Sequence, residues 1–225
     1  MGAWQHAVVS RYPTPAVFVE IKDGSNFAPI YVQEEIDQTR RVNFDPMLWK
    51  TLTSLVEDPV LGVPNEIQIF DYIFGVLSCP AYRDAYSEFL KIDFPRIPWP
   101  QTPQDFWAVS GKGTSLRKLQ LMDSTEIGET NFPFVTVEGQ ECTGKVNKIS
   151  FNAARVWINR SQYFENVPEI SWNGYIGGYQ PARKWLKDRK GRILNSDDIY
   201  HYQKIIKIVS EVHRITNTIE MKLQN

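Results

Sequence analysis

Six basic side chains crowd one stretch of the chain: Arg183, Lys184, Lys187, Arg189, Lys190 and Arg192, with Asp188 the sole acid among them. The full 225 residues carry a net charge of -1, so this excess is local. Such a run suits phosphate oxygens, which Lys meets as a point charge and Arg as a planar fork. It would equally suit a solvated helix and turn whose long stems lie across aromatic rings, and Tyr179 and Trp185 supply such rings. Charge alone does not separate the two.

Bond-making chemistry needs convergent groups, and the chain lacks the common ones. The run ending Val19-Glu20-Ile21-Lys22 resembles half of a metal-dependent nuclease site, but no Pro-Asp pair precedes it, so an ordinary strand end is the better reading. Gly111-Lys112-Gly113 lacks the strand and glycine spacing of a phosphate loop, and Gly177-Gly178 lacks the context of a dinucleotide site. Methyl transfer to a base amine would want an Asn/Asp-Pro-Pro-aromatic tetrapeptide. Asn131-Phe132-Pro133-Phe134 differs at its second residue and has no glycine-rich cofactor loop upstream. His6, His201, His213, Cys79 and Cys142 are scattered, which argues against a zinc site or a disulfide framework. The expectation is no catalytic residue, no metal and no cofactor in this segment.

The elements that would carry the basic run follow from local signals. Trp4 to Val32 reads as short strands and turns, Ala16 to Lys22 and Pro29 to Val32 among them. Asp45 and Pro46 open a helix to about Val56. Ile67 to Leu77 has helical spacing of Ile69, Phe70, Ile73, Phe74 and Leu77, and Ala81 to Leu90 reads as a second helix. Lys91 to Pro100 is extended because of its prolines. Thr102, Pro103 and Asp105 start a helix to about Met122, weakened in its middle by Gly111 and Gly113. Asp123 to Glu141 holds five acids and no Lys or Arg, which disfavours phosphate contact there. Phe134 to Val137 reads as a strand. Lys145 to Phe151 and Arg155 to Asn159 read as a hairpin turning about Asn152, made basic by Lys145, Lys148 and Arg155. A two-stranded ribbon fits the major groove of duplex DNA, although a lysine-protected sheet edge has the same pattern. Gly177 and Gly178 form a turn, Pro181 opens a short helix, and Ser196, Asp197 and Asp198 open a long one, 196–223. Its apolar stripe includes His213, expected to be packed. The fold class is α+β: a twisted, mostly antiparallel sheet with packed helices and a long C-terminal helix.

Composition sets the outer bounds. Hydrophobic content of 42% with 13% aromatics indicates a folded chain, here read as a single domain over 1–225. No apolar run approaches membrane-spanning length and no signal peptide opens the chain, so a cytoplasmic setting is expected. A net charge near zero excludes a broadly basic protein that coats nucleic acid.

Four long strings in order, IFDYIFGVLSCPAYRDAYSEFLKIDFPRIPWP, RVWINRSQYFENVP, YIGGYQPARKWLKDRKGR and SDDIYHYQKII, resemble the C-terminal specificity domain of type ISP restriction-modification enzymes and related fused adenine-specific DNA methyltransferases. The resemblance spans roughly Asn43 to Ile206, and residues 1–42 match only loosely. It implies a target recognition domain that holds double-stranded DNA beside an adenine-N6 methyltransferase domain of the parent polypeptide. That partner, with its S-adenosylmethionine, lies outside this chain. Family members recognise different sequences, so shared motifs cannot encode the sequence read. Arg183, Lys184, Lys187, Arg189, Lys190 and Arg192 are therefore assigned to phosphate positioning or domain docking. The base-reading candidates are Asn147, Lys148, Asn152 and Arg155, with Arg160, Gln162 and Tyr163 flanking them. The alternative is an interdomain coupling module that docks on the methyltransferase without reading bases. A free-standing enzyme is a third reading, and binding of S-adenosylmethionine would revive it.

Overall fold

Asp45 begins the first helix as its residue type predicts, its carboxylate accepting from the Met47 and Leu48 amides at 2.9 Å. The computed structural model describes residues 7–12, 28–33 and 39–221, so the expected strand Ala16 to Lys22 lies outside the described residues. Two compact units divide the chain: residues 1–118 with 215–225, and residues 119–214.

In the first unit, β1 (Tyr31–Gln33) pairs antiparallel with β2 (Arg40–Val42), and α1 (Pro46–Val56), α2 (Glu66–Ser78), α3 (Pro80–Ala85) and α4 (Pro103–Gln120) follow. The last two residues of α4 belong to the second unit. A capping box starts α2: Asn65 accepts from the Gln68 amide at 3.0 Å and Gln68 returns the bond at 2.8 Å. Helix α2 then crosses α4 at van der Waals limits. A Cβ on Gly113 would lie 1.8 Å from the Asp71 carbonyl, and one on Gly75 would lie 2.7 Å from that of Val109. Gly113, which helix propensity marks as a weakness, is what lets the two backbones meet. Beside this crossing Asp71 is fully buried, accepting from Arg117 at 2.6 and 2.9 Å and from Thr114 at 2.7 Å. The expected helix Ala81 to Leu90 is cut short. It ends at Ala85, and a single 3₁₀ turn, Phe89–Lys91, follows, with the Tyr82 hydroxyl donating to the Arg96 carbonyl at 2.8 Å.

The second unit is built on a four-stranded antiparallel sheet of β3 (Phe134–Thr136), β4 (Ser150–Asn152), β5 (Arg155–Trp157) and β6 (Gln162–Phe164), in the order β3-β6-β5-β4. Helices α5 (Ser124–Ile127), α6 (Glu169–Asn173), α7 (Pro181–Lys187) and α8 (Ser196–Thr216) complete it, except that the last two residues of α8 belong to the first unit. Val156, Ile158, Phe164, Trp172, Leu186, Tyr202 and Ile206 form its core. Tyr202, fully buried, lies 4.6 Å from the Phe164 ring and 5.2 Å from that of Trp185. Gly174 lets α6 approach α8, since a Cβ there would sit 2.7 Å from Val209.

Helix α8 departs from expectation in three places. Asn195, not Ser196, is its cap, accepting from the Asp198 amide at 2.8 Å. It stops at Thr216 rather than running to 223, where Thr218 turns its hydroxyl back onto the Ile215 carbonyl at 2.7 Å and competes with the helical ladder. His213, expected to be packed, is exposed.

Candidate nucleic-acid interface

Two glycines bring distant parts of the second unit together. Gly144 and Gly191 both adopt positive φ, 64° and 83°, and the segments that they open lie side by side. The Gly191 amide donates to the Val146 carbonyl at 2.7 Å, that of Val146 to Arg192 at 2.9 Å, and that of Leu194 to Gly144 at 2.9 Å. Val146 is fully buried beneath this pairing, while Lys145, Asn147, Arg192 and Ile193 are exposed. The end of the basic run thereby lies against the segment that precedes β4.

A buried polar node holds the same place from below. Gln162 is fully buried, and its Oε1 accepts from the Gly144 amide at 2.7 Å and from Asn159 Nδ2 at 3.1 Å. Its Nε2 donates to Thr136 Oγ1 and to Cys142 Sγ, both at 3.2 Å. Asn159 also donates to the Lys145 carbonyl at 3.0 Å and accepts from the Ser161 and Gln162 amides at 2.9 and 2.7 Å. This closes a tight turn that carries Arg160 to the surface beside Lys145. Between Asn147, bonded to Ile158 at 2.8 Å, and Ser150, which faces Trp157, Lys148 and Ile149 have no counterparts across the ladder. That local bulge leaves Lys148 exposed while Ile149 packs on the core.

The outcome is a surface bearing Lys145, Lys148, Arg160, Lys190 and Arg192, with Lys187 on the turn leading into it. All six are exposed, and none makes a side-chain hydrogen bond or ion pair among the described residues. Glu141 borders it, its carbonyl accepting from Ser161 at 3.0 Å. Lys145, noted in the sequence only as part of a basic hairpin, joins the surface through a segment whose pairings link residues 45 to 50 positions apart.

The other predicted cations serve the protein itself. Arg183 lies 4.9 Å over the Trp172 ring, with its guanidinium bonded to Asn173 Oδ1. Arg189 stacks 3.6 Å over Trp185, donates to the Trp185 carbonyl at 3.3 Å and faces Asp198 at 3.4 Å. Lys184 pairs with Asp188 at 2.7 Å one helical turn away. The reading of the run as stems lying across aromatic rings and against acids therefore applies to Arg183, Lys184 and Arg189, and not to Lys187, Lys190 or Arg192.

The base-reading candidates divide as well. Asn147, Lys148 and Arg160 belong to the basic surface. Asn152, exposed, and Arg155, half-exposed, stand at the opposite end of the β4–β5 hairpin. Arg155 donates to Glu165 at 2.9 Å and lies 4.7 Å over Tyr163, whose ring is 4.5 Å from that of Trp157. Tyr163 is buried beneath them, and Gln162 faces inward with both ends of its amide engaged. Neither Gln162 nor the Tyr163 ring is presented at the surface. Among the described residues no group of His, Cys, Asp and Glu is arranged to hold a metal ion, and no helix is long and apolar enough to cross a membrane.

Three solved structures resemble this fold at low sequence identity. The DrdV–DNA complex, determined by cryo-electron microscopy, has a TM-score of 0.66 at 18% identity, covering 88% of this chain and 21% of that one. The ATP-dependent type ISP restriction-modification enzyme LlaBIII bound to DNA has a TM-score of 0.59 at 14% identity, covering 86% and 14%. A nuclease-deletion mutant of the type ISP enzyme LlaGI, in complex with a DNA substrate mimic, has 0.53 at 17% identity, covering 73% and 17%. The chain thus spans only 14% to 21% of the length of these proteins. No curated protein matches its sequence. The description "Type ISP C-terminal specificity domain" matches residues 2–219, and with nearly its whole length accounted for, the chain belongs to that family.

Proposed function

We propose that this chain is the DNA target recognition domain of a larger restriction-modification enzyme, holding duplex DNA for an adenine-N6 methyltransferase carried elsewhere on the parent polypeptide. The observation that carries this reading is the pairing of residues 144–146 with 191–194. It gathers six exposed cations, unpaired among the described residues and drawn from three separate parts of the sequence, onto one unit. Unpaired cations on one surface suit a row of phosphates. Family membership and the DNA complexes of its structural relatives support the same reading.

Fluorescence anisotropy with mixed-sequence duplexes at low salt tests it. The chain should bind, and the variant Lys145→Ala/Lys190→Ala/Arg192→Ala should bind at least tenfold more weakly with an unchanged thermal melt. Equal binding by the two proteins would refute the assignment.

The coupling-module reading has one observation of its own. The first unit exposes Met47, Leu48, Leu55, Val60, Leu61 and Val63, the apolar chemistry of a protein contact. Under that reading the triple variant would keep its DNA affinity, and Leu48→Ser/Leu61→Ser would lose association with the methyltransferase domain.

A further inference from the structure

Among the described residues only four non-glycine positions have positive φ, and three of them meet at one place: Ala153 at 49°, Ala154 at 56° and Asn166 at 59°. Ala153 and Ala154 are the two central residues of the hairpin turn between Asn152 and Arg155, and the Val167 amide ties Asn166 to it by donating to the Ala154 carbonyl at 2.8 Å. A two-residue turn of this hand is ordinarily made by Asn-Gly or Gly-Gly, because a Cβ is strained there. Here two methyl groups are held at an exposed tip despite that strain, as is typical of positions kept for contact.

Asn152 flanks them. It is exposed and makes no side-chain hydrogen bond among the described residues, so its amide retains both donor and acceptor capacity. Arg155 opposite is braced by Glu165 at 2.9 Å and by the Tyr163 ring at 4.7 Å, which fixes the base of the tip and balances the Glu165 charge. Because Lys148 and Ile149 bulge out, the ribbon from Asn147 to Asn152 advances only as far as the partner residues Ile158 to Arg155, about 10 Å at roughly 3.3 Å per residue. The major groove is about 8.5 Å deep and about 12 Å wide, so a ribbon of this length reaches its floor with the basic end left outside among the phosphates.

We propose that the β4–β5 tip reads an adenine·thymine pair in the major groove, Asn152 bonding the adenine edge and the methyl groups of Ala153 and Ala154 contacting the thymine methyl. The chemistry is complementary: adenine presents one acceptor and one donor to an amide, and thymine alone presents a methyl group. This assignment rests on the reading of the chain as a DNA-binding domain. It separates a reading end of the hairpin from a phosphate-holding end.

The test is selection from a random-sequence duplex pool at low salt, with sequencing of the retained DNA, for the wild-type chain, Asn152→Ala and Ala153→Gly/Ala154→Gly. The double glycine variant relieves the turn and so keeps the fold. Wild type should enrich a motif containing an A·T position. Both variants should lose preference there on the order of tenfold while binding the unselected pool as before. A motif identical in all three proteins would overturn the assignment, and so would wild-type retention without enrichment. Absence of any wild-type retention would instead overturn the DNA-binding reading itself.

Discussion

In the first unit the Asp71 carboxylate is removed entirely from water and shared between Arg117 and Thr114, at a crossing too close for any side chain on Gly113. In the second unit Lys145, Lys148, Arg160, Lys187, Lys190 and Arg192 are exposed and have no side-chain partner among the described residues. The difference separates two uses of charge. A buried pair is a structural element whose cost is met by its own partners. Exposed cations add little to folding, and self-repulsion among them makes them mildly unfavourable until an anion arrives. Arg183, Arg189 and Lys184 lie between these extremes, close in sequence to the exposed set yet spent on Trp172, Trp185 and Asp188.

The largest effect should come from breaking the buried pair. Asp71→Ala removes the fully buried carboxylate that accepts from Arg117 and Thr114 and should cost about 3–5 kcal/mol, read as a lowered denaturant midpoint. Arg192→Ala should leave that midpoint within about 0.5 kcal/mol of wild type. Gly113→Ala forces a Cβ into the Asp71 carbonyl and should cost about 3 kcal/mol, although it improves intrinsic helix propensity. A neutral or stabilising result would show that the helices are not in close contact.

A smaller effect of opposite sign belongs to the hairpin tip of the second unit. Ala153→Asn/Ala154→Gly supplies the residues that the turn prefers and should stabilise by about 1 kcal/mol in thermal denaturation. Smallest is a pH effect at His201, half-buried on Trp185. Burial first, then the charges of Arg189 and Lys204, lower its pKa from the ordinary value near 6.5. Below that value the unfolded chain takes up a proton that the folded one refuses. Stability should therefore be full above pH 6.5 and decline as pH falls, and His201→Phe should flatten the decline in melts taken between pH 5 and 7.

Much of this frame is legible in the residues. Asp45 and Pro46, Thr102 and Pro103, and Pro181 mark helix starts because capping and proline geometry act over a few residues. The four-stranded sheet is legible in part: the hairpin expected to turn about Asn152 forms, but its paired strands are only Ser150–Asn152 and Arg155–Trp157 and its turn is centred on Ala153 and Ala154, while the order β3-β6-β5-β4 has no local signal. What escapes local reading depends on partners far along the chain. Gly113 looks like a helix defect until Asp71 is placed opposite it. Gln162 has a base reader's side chain, and only its bonds to Gly144, Thr136 and Cys142 show that it faces inward. The basic run looks uniform because Trp172 and Asp198, which claim Arg183 and Arg189, are distant signals.

The central claim is that the unpaired cations, and not their paired neighbours, meet phosphates. Its most direct test is the salt dependence of DNA binding, measured as the slope of log K against log salt for wild type, for Lys145→Ala/Lys190→Ala/Arg192→Ala and for Lys184→Ala. The triple variant should lower the slope by about 0.9 per lost contact, and Lys184→Ala should leave it unchanged. A slope insensitive to the triple change, or equally reduced by Lys184→Ala, would contradict the account.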